Sequence, residues 1–446
     1  MDGVVRVTIL KGLGVVTLRA PPVNALSAPV RQALADALAM LAADQGAKAI
    51  ALIGEGPMFS AGADLREQGD DAAAPSLSRL CEAIEGCAKP VIAVLQGPAL
   101  GGGAEVALAA HWRLAVPAAT LGLPELALGL GPGAGATQRL PRLAGAPLAL
   151  DLLLSGRPIG AEEARRAGLV DGVVTGDPLL GAMAFAQALL ARDAGLRPTL
   201  ARRERLADAA GWLRATAEAR AALAPADLPA RGVVDCLEAA LLLPPAQGLA
   251  YEAARREECE ARPEARALRH LFLAERRAPA TLLRRGGAGG RELTDLGEAL
   301  VDRLGRAMGH AAGALARLGE RREVIDAALV DWGMPAGPFG GEAGGAGEAG
   351  QAIVRRINAA VAAEGARLIA EGEAPGPDDV DALAVMGLGV PRLSGGPMRA
   401  AETHGLAGLA RDMAQWERDD PVWSPPALFL AAARGTGGFA AATRAA

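Results

Sequence analysis

Gly97-Pro98-Ala99-Leu100-Gly101-Gly102-Gly103-Ala104-Glu105 carries the chain out of a short apolar run, Val91 to Leu95, and into a segment of helical composition, Gly102 to Trp112. Three successive glycines let the main chain come close to a ligand. The N–H groups at the helix start have no partners within the helix and sit at the positive end of its dipole. Such donors suit a developing oxyanion, where one is typically worth about 3–4 kcal/mol of barrier. Glu105 follows in the first helical turn, on the same face as the Gly102 amide. A second carboxylate lies farther on, in Leu121-Gly122-Leu123-Pro124-Glu125. Two carboxylates beside an oxyanion donor suit proton transfer next to a carbonyl, with one of them kept protonated near neutral pH. A glycine turn ahead of a helix and a first-turn Glu are also ordinary dipole chemistry. Spacing alone leaves both readings open.

The surrounding chain alternates strand and helix patterns. Val4 to Leu10 and Gly14 to Leu18 read as strands joined by a Lys11-Gly12 turn. Ser27 is the expected N-cap of a helix running to Ala43. Ala49 to Ile53 is a buried strand, followed by a second distinctive stretch, Phe59-Ser60-Ala61-Gly62-Ala63-Asp64-Leu65. Leu114 to Val116 is a further short strand. This repetition predicts an α/β domain with its sites at strand ends. From about Ala161 helices dominate: Ala161 to Ala167, Leu179 to Ala191, Thr199 to Leu223, Val234 to Leu242, Ala246 to Glu260 and Ala265 to Arg276. Two glycine-rich breaks, Gly286 to Gly290 and Gly340 to Gly350, read as linkers or loops. A strong helix, Ile353 to Gly372, follows them.

Composition removes several classes. The 446 residues are 51% hydrophobic and 22% charged, the balance of a folded protein. A net charge of -5 and 3% aromatics predict neither a nucleic-acid surface nor base-stacking platforms. No apolar run is long enough to predict a membrane span, and no signal peptide is evident at Met1-Asp2-Gly3. Cys81, Cys87, Cys236 and Cys259 form no C-x-x-C pair, and with four histidines no metal site is expected. Free thiols point to a reducing, cytoplasmic setting.

Five motifs in order resemble the crotonase (enoyl-CoA hydratase/isomerase) superfamily over residues 1–190: Pro22-Val23-Asn24-Ala25-Leu26, Phe59 to Leu65, Ala99 to Glu105, Gly122-Leu123-Pro124-Glu125 and Gly131 to Leu140. Ala167-Gly168-Leu169-Val170-Asp171 extends the match. The likeness is to the amino-terminal part of multifunctional fatty-acid oxidation enzymes. It implies a spiral of ββα units that binds an acyl-CoA thioester. The Ala63 and Gly102 N–H groups would form an oxyanion hole on the thioester carbonyl. Glu105 and Glu125 would hold a water and add it across a 2,3-double bond, Glu105 activating the water and Glu125 handling the α-carbon proton. Ala25, Ala61 and Leu65, with Ala63 and Gly102, would line the CoA site largely through main-chain atoms. Both glutamates together favour a hydratase, with 3-enoyl to 2-enoyl isomerisation as a second activity and no metal required. Arg66 to Pro75 falls where the family shapes its acyl tunnel, and Gly131 to Ala136 reads as a glycine-rich crotonase loop, not a nucleotide fingerprint.

Residues 191–285 would then be a helical extension and linker; Ala265 to Arg276 resembles the family's linker helix. In that family a dinucleotide-binding domain comes next. Here Gly286 to Ala446 holds 161 residues that already read as helical. Asp331 to Phe339, Arg356-Ile357-Asn358, Asp378 to Asp381, Gly387 to Pro391 and Gly395-Gly396-Pro397 resemble the dehydrogenase's carboxy-terminal helical repeats, the first one shortened. His270, His310 and His404 match no catalytic histidine. The missing domain therefore implies no NAD and no 3-hydroxyacyl-CoA oxidation; the helical module either replaces the oligomer contacts of free-standing hydratases, leaving a monomer, or is a folded but idle remnant, and the sequence does not choose between a monomer and an oligomer. Two alternatives remain at this stage: another crotonase-fold reaction such as thioester hydrolysis or decarboxylation, and a non-catalytic acyl-CoA-binding scaffold.

Overall fold

Each central strand of the first half is apolar on both faces, because each face is covered. The computed structural model describes residues 3–67, 74–286, 290–341, 345 and 349–445. A six-stranded sheet runs in the order β1-β2-β3-β4-β6-β9. Its strands are β1 (Val5–Leu10), β2 (Leu13–Leu18), β3 (Ala49–Gly54), β4 (Val91–Leu95), β6 (Trp112–Ala115) and β9 (Gly172–Val173). The first pair is antiparallel through a Lys11-Gly12 turn with φ of 48° and 88°; the others are parallel. Side chains alternate across it. Val16, Leu18, Ile50, Leu52, Val91 and Ala93 enter one core. Leu13, Val15, Ala49, Ala51, Ile92 and Val94 enter another with helix α7 (Pro178–Ala191). A smaller sheet joins β5 (Ala99–Leu100), β7 (Thr120–Gly122) and β8 (Ile159–Gly160).

The helices of this part are α1 (Ala28–Ala43), α2 (Leu77–Glu85), α3 (Gly102–Ala109), α4 (Ala136–Ala144), α5 (Ala146–Ser155) and α6 (Ala161–Ala167), with α7 as above. Beyond α7 come α8 (Ala209–Ala222), α9 (Leu228–Leu242) and α10 (Pro245–Glu260). Val233, Val234 and Leu237 of α9 belong to the same core as α1 to α5. The chain accordingly divides into two compact units, Met1–Ala261 and Arg262–Ala446. The sequence reading draws boundaries after 190 and 285. The difference arises because α9 buries its apolar face in the first core, a tertiary fact with no local signal.

The second unit comprises α11 (Pro263–Arg277), a hairpin of β10 (Leu283–Arg285) with β11 (Arg291–Leu293), and then α12 (Asp295–Arg317), α13 (Arg322–Trp332), α14 (Ala349–Ala370), α15 (Pro377–Leu383), α16 (Pro397–His404), α17 (Leu406–Trp416), α18 (Ala427–Arg434) and α19 (Gly438–Ala445). Helix α14 is buried almost all round at Ala359–Ala363 and packs against α12, α13 and α16. His270 of α11 meets Asp381 of α15 at 2.8 Å, and Asp381 accepts the Met398 N–H at the start of α16. That histidine ties three helices together, as a packing role predicts.

Several local expectations change. The α/β-then-helical organisation stands, but the carboxy-terminal part is not all helix: strands β10 and β11 flank the first glycine break and pair antiparallel, with residues 287–289 outside the described set. The helix expected over Gly102 to Trp112 stops at Ala109, because Trp112–Ala115 pairs with β4. Thr199 to Leu223 holds two single turns before α8. Ser27 occupies the N-cap of α1 without a side-chain cap bond; Glu67 accepts the Ala28 N–H instead, at 2.5 Å. Of the polar loop Arg66 to Pro75, residues 68–73 lie outside the described set. Glu67 is anchored to Arg31. Among the described residues no helix is long and apolar enough to cross a membrane.

Candidate active site

Three chain segments run side by side and end at one place. Leu100 N–H donates to Ser60 C=O at 2.9 Å, and Phe59 N–H to Pro98 C=O at 3.0 Å. On the other side β5 pairs in parallel with β7, Leu100 opposite Gly122, and Gly101 N–H continues the ladder to Gly122 C=O at 2.8 Å. Parallel pairing brings the segment ends together. The end of the first strip is Gly62-Ala63, that of the second the start of α3, and that of the third the 3-10 turn Glu125–Leu128.

The first two ends are in main-chain contact. Gly62 has φ of 88°, and a Cβ there would lie 2.7 Å from Gly102 N. A Cβ on Gly102 would lie 3.3 Å from Ala63 N and 2.5 Å from Leu77 Cδ2. Only glycine fits at either place. Gly62 N–H is taken by Ser60 Oγ at 3.0 Å. Among the described residues nothing accepts the N–H of Ala63 or of Gly102. Gly102 is buried and Ala63 exposed, so this pair of open donors reaches from the surface inward.

The carboxylates differ in how they are held. Glu105, 2% exposed, turns one oxygen to the loop ahead of α4, accepting Ala134 N–H at 2.7 Å and Ala136 N–H at 3.1 Å. Burial raises its pKa, while those two amides and the Arg256 and Arg139 guanidinium groups act in the opposite sense. Glu125 packs against Gly101, its Oε1 3.2 Å from where a Cβ on that glycine would stand. Its Oε2 is buried with no hydrogen-bond partner. Burial first, and the charge of Glu105 second, push Glu125 up to about 8. One carboxylate is therefore held by loop amides that favour its anion, and the other keeps one buried oxygen without a partner among the described residues and favours its acid.

Ala25 and Ala61 lie on adjoining, half-buried stretches joined by Ala61 N–H to Val23 C=O at 2.9 Å and Leu26 N–H to Gly62 C=O at 2.8 Å. Leu65 follows in the next turn. Asn24 braces them, its amide donating to Glu55 C=O and Met58 C=O. Gly131 to Ala136 follows a 3-10 turn, not a strand, and its amides go to carboxylates.

Sequence reasoning missed Glu252. It sits on α10, 1% exposed, and receives Gly135 N–H at 2.5 Å, Thr137 N–H at 2.8 Å and the Thr137 hydroxyl. Burial, then the charge of Glu105, push it up to about 7. Nothing local marks it, because α10 otherwise reads as a charged surface helix. Among the described residues no cluster of three or more His, Cys, Asp or Glu is arranged to hold a metal ion. None of the four cysteines forms a disulfide, and all four are buried.

Residues 8–198 match the family described as enoyl-CoA hydratase/isomerase. A "Peroxisomal bifunctional enzyme" from Danio rerio is 44% identical over 178 residues, covering 40% of this chain and 25% of that protein. A "Probable enoyl-CoA hydratase" from Bacillus subtilis (strain 168) is 46% identical over 165 residues, covering 35% of this chain and 64% of that one. The chain thus spans about a quarter of the length of the first curated relatives it matches. A solved enoyl-CoA hydratase from Mycobacterium avium subsp. paratuberculosis K-10 is 27% identical, with a TM-score of 0.44, over 60% of this chain and 98% of that one.

Proposed function

On the premise that residues 8–198 are a domain of the enoyl-CoA hydratase/isomerase family, we propose that this chain adds water to the double bond of a 2-enoyl-CoA, giving a 3-hydroxyacyl-CoA. The observation that carries the reading is the meeting of two amides, Ala63 and Gly102, with a buried oxygen of Glu125, all three without partners among the described residues, at one end of three parallel strips.

The chemistry follows from that arrangement. The thioester oxygen accepts both N–H groups, and polarisation of the carbonyl makes the β-carbon electrophilic. Glu105, whose anion the Ala134 and Ala136 amides favour against the effect of burial, takes a proton from water as the water oxygen bonds to the β-carbon. The π electrons move to the thioester oxygen as an enolate, which the two amides stabilise. Glu125, protonated at neutral pH, delivers its proton to the α-carbon as the carbonyl re-forms. One water has been added, and the proton on Glu105 returns to Glu125 before the next turnover. Moving a 3-enoyl double bond to position 2 needs only one carboxylate that takes a proton from C2 and returns it to C4, so we include isomerisation by the ionised form of Glu125, favoured as pH rises through about 8, as a second activity.

Main-chain atoms of Ala25, Ala61 and Leu65 are the CoA-side contacts of this reading. A cytoplasmic setting belongs to it as well, supported by the four unbridged thiols. The test is to mix the full chain with crotonyl-CoA and follow the loss of the conjugated thioester's ultraviolet absorbance. Saturable formation of 3-hydroxybutanoyl-CoA is expected. An inert chain across a panel of 2-enoyl-CoA chain lengths sinks the reading; free CoA as the product would move the assignment to thioester hydrolysis.

A further inference from the structure

One face of α10 is devoted to a single loop. Leu249, Glu252 and Arg256 recur at about one-turn spacing, so they share that face. Arg256 donates to Gly131 C=O at 2.9 Å, and its stem lies against Gly133, where a Cβ would stand 3.0 Å from Cγ. Leu249 lies against Gly135, where a Cβ would be 2.9 Å from its Cδ2. Between them Glu252 accepts the Gly135 and Thr137 amides and the Thr137 hydroxyl. The loop these side chains grip is the one whose other two amides, Ala134 and Ala136, hold Glu105. Arg139 closes the turn from inside, donating to Ala134 C=O at 2.6 Å and pairing with buried Glu85.

A carboxylate this deeply buried is costly unless its donors are in place. Glu252 has all of them, and every one belongs to the start of α4. Three amides of the helix start, Gly135, Ala136 and Thr137, and that of Ala134 just before it are here divided between two carboxylates from distant parts of the chain.

We propose that Glu252 is a positioning residue for the hydration reaction: by fixing the Gly135 and Thr137 amides it sets the turn whose Ala134 and Ala136 amides aim Glu105 at the substrate water. The proposal rests on the hydratase reading above. Glu252 does not touch the reacting atoms; it acts through the loop and through its charge. The titratable and charged groups facing it are Glu105 on α3, Glu125, Arg139 on α4, Cys236 on α9, Cys81 on α2 and Arg256 on its own helix. Its charge adds to that of Glu105 in keeping Glu125 protonated.

The experiment compares the full chain with Glu252→Gln and Thr137→Val in two readouts: kcat and KM for crotonyl-CoA across pH, and the titration of the glutamate side-chain carbons by 13C NMR. A glutamine turns its NH2 toward one of the loop donors, so one amide loses its acceptor. We expect kcat to fall by about ten- to a hundredfold, the scale of a small misplacement of a reacting group, with KM changed less than about twofold. Glu125 should titrate at lower pH, because a like charge has gone, and the alkaline limb of the rate profile should move down with it. Thr137→Val, which removes the hydroxyl that donates to Glu252 and accepts from Gln138 Nε2 while leaving both loop amides on Glu252, should change kcat in the same direction by less. Unchanged kcat and unchanged Glu105 and Glu125 titrations in folded Glu252→Gln overturn the proposal, as does a change confined to KM. Should Glu252→Gln not fold, wild-type kcat in Thr137→Val overturns it. A wild-type chain inert to every 2-enoyl-CoA sinks the hydratase reading instead, and the NMR titration still reports whether Glu252 sets the other two glutamates.

Discussion

Glu105 and Glu252 take alternate main-chain amides of one helix start: Ala134 and Ala136 donate to the first, Gly135 and Thr137 to the second. Hydrogen bonds to a charged acceptor contribute about 1.5–3 kcal/mol each, which offsets part of the cost of burying two carboxylates side by side. The arrangement leaves Glu125 as the unpinned member of the group, its Oε2 buried without a partner. In the proposed reaction this asymmetry makes Glu105 the base and Glu125 the acid, and the consequences are measurable.

Replacing Glu125 with Gln keeps the shape and removes the transferable proton. We expect kcat for a short 2-enoyl-CoA to fall by about a hundredfold or more, the usual range for loss of a general acid, with little change in KM. Wild-type kcat/KM should decline as pH rises through about 8, where Glu125 loses its proton. That limb should be missing in Glu125→Gln. Near-normal turnover in the folded variant, or an unchanged alkaline limb, would remove Glu125 from the mechanism.

Gly102→Ala tests the two open amides. The new methyl group would crowd Ala63 N and Leu77, forcing the donors apart. Loss of one oxyanion donor costs about 3 kcal/mol, on the order of a hundredfold in kcat. Circular dichroism checks that the variant folds. Wild-type kcat in a folded Gly102→Ala chain counts against an oxyanion site at Ala63 and Gly102.

Much of this site is legible in the sequence because its parts are local. Strand, glycine turn and first-turn carboxylate follow one another from Val91 to Glu105, and the chain cannot rearrange them far. Glu125 is legible for the same reason, since Leu121-Gly122-Leu123-Pro124 marks the end of a strand. Glu252 is not, because its partners at Gly135 and Thr137 are set by how α10 packs, and Glu252 stands in a helix that also carries Arg255, Glu257 and Glu258. The hairpin β10–β11 is hidden for a different reason. Its strands have three residues each, too short for an alternating pattern to show beside a glycine run. At Trp112 the helical period runs on into a segment that the sheet claims for pairing, and non-local hydrogen bonding decides it.

The same hairpin bears on the expectation that this chain binds no NAD. The chain passes from α11 to α12 through β10 and β11, with Thr294 capping α12 through Gly297 N–H at 3.1 Å. A dinucleotide fold needs a buried parallel strand that leads through a glycine turn into a helix facing the pyrophosphate; a two-stranded antiparallel hairpin offers no such crevice. Titrating the full chain with NAD, followed by calorimetry or by tryptophan fluorescence, should give no saturable signal in the micromolar range. A saturable signal would overturn this.

The buried carboxylates also make stability depend on pH in a direction that can be worked out. Glu125 and Glu252 are pushed up to about 8 and about 7 from an ordinary value of 4.5. A carboxyl with a raised pKa binds its proton more tightly in the folded chain than in the unfolded one. Its contribution to stability is complete below the unfolded value and is lost as pH rises through the folded one. The unfolding temperature of the first unit should therefore fall between about pH 5 and about pH 8. In Glu125→Gln one of these groups no longer titrates, so the fall should be shallower, and the variant should gain on the wild type as pH rises. Calorimetry of both chains across that window reads the difference, in which titrations common to the two chains cancel to first order. Parallel curves would mean that Glu125 titrates alike in the folded and unfolded chains, and its role as the acid held protonated by burial would fall with them.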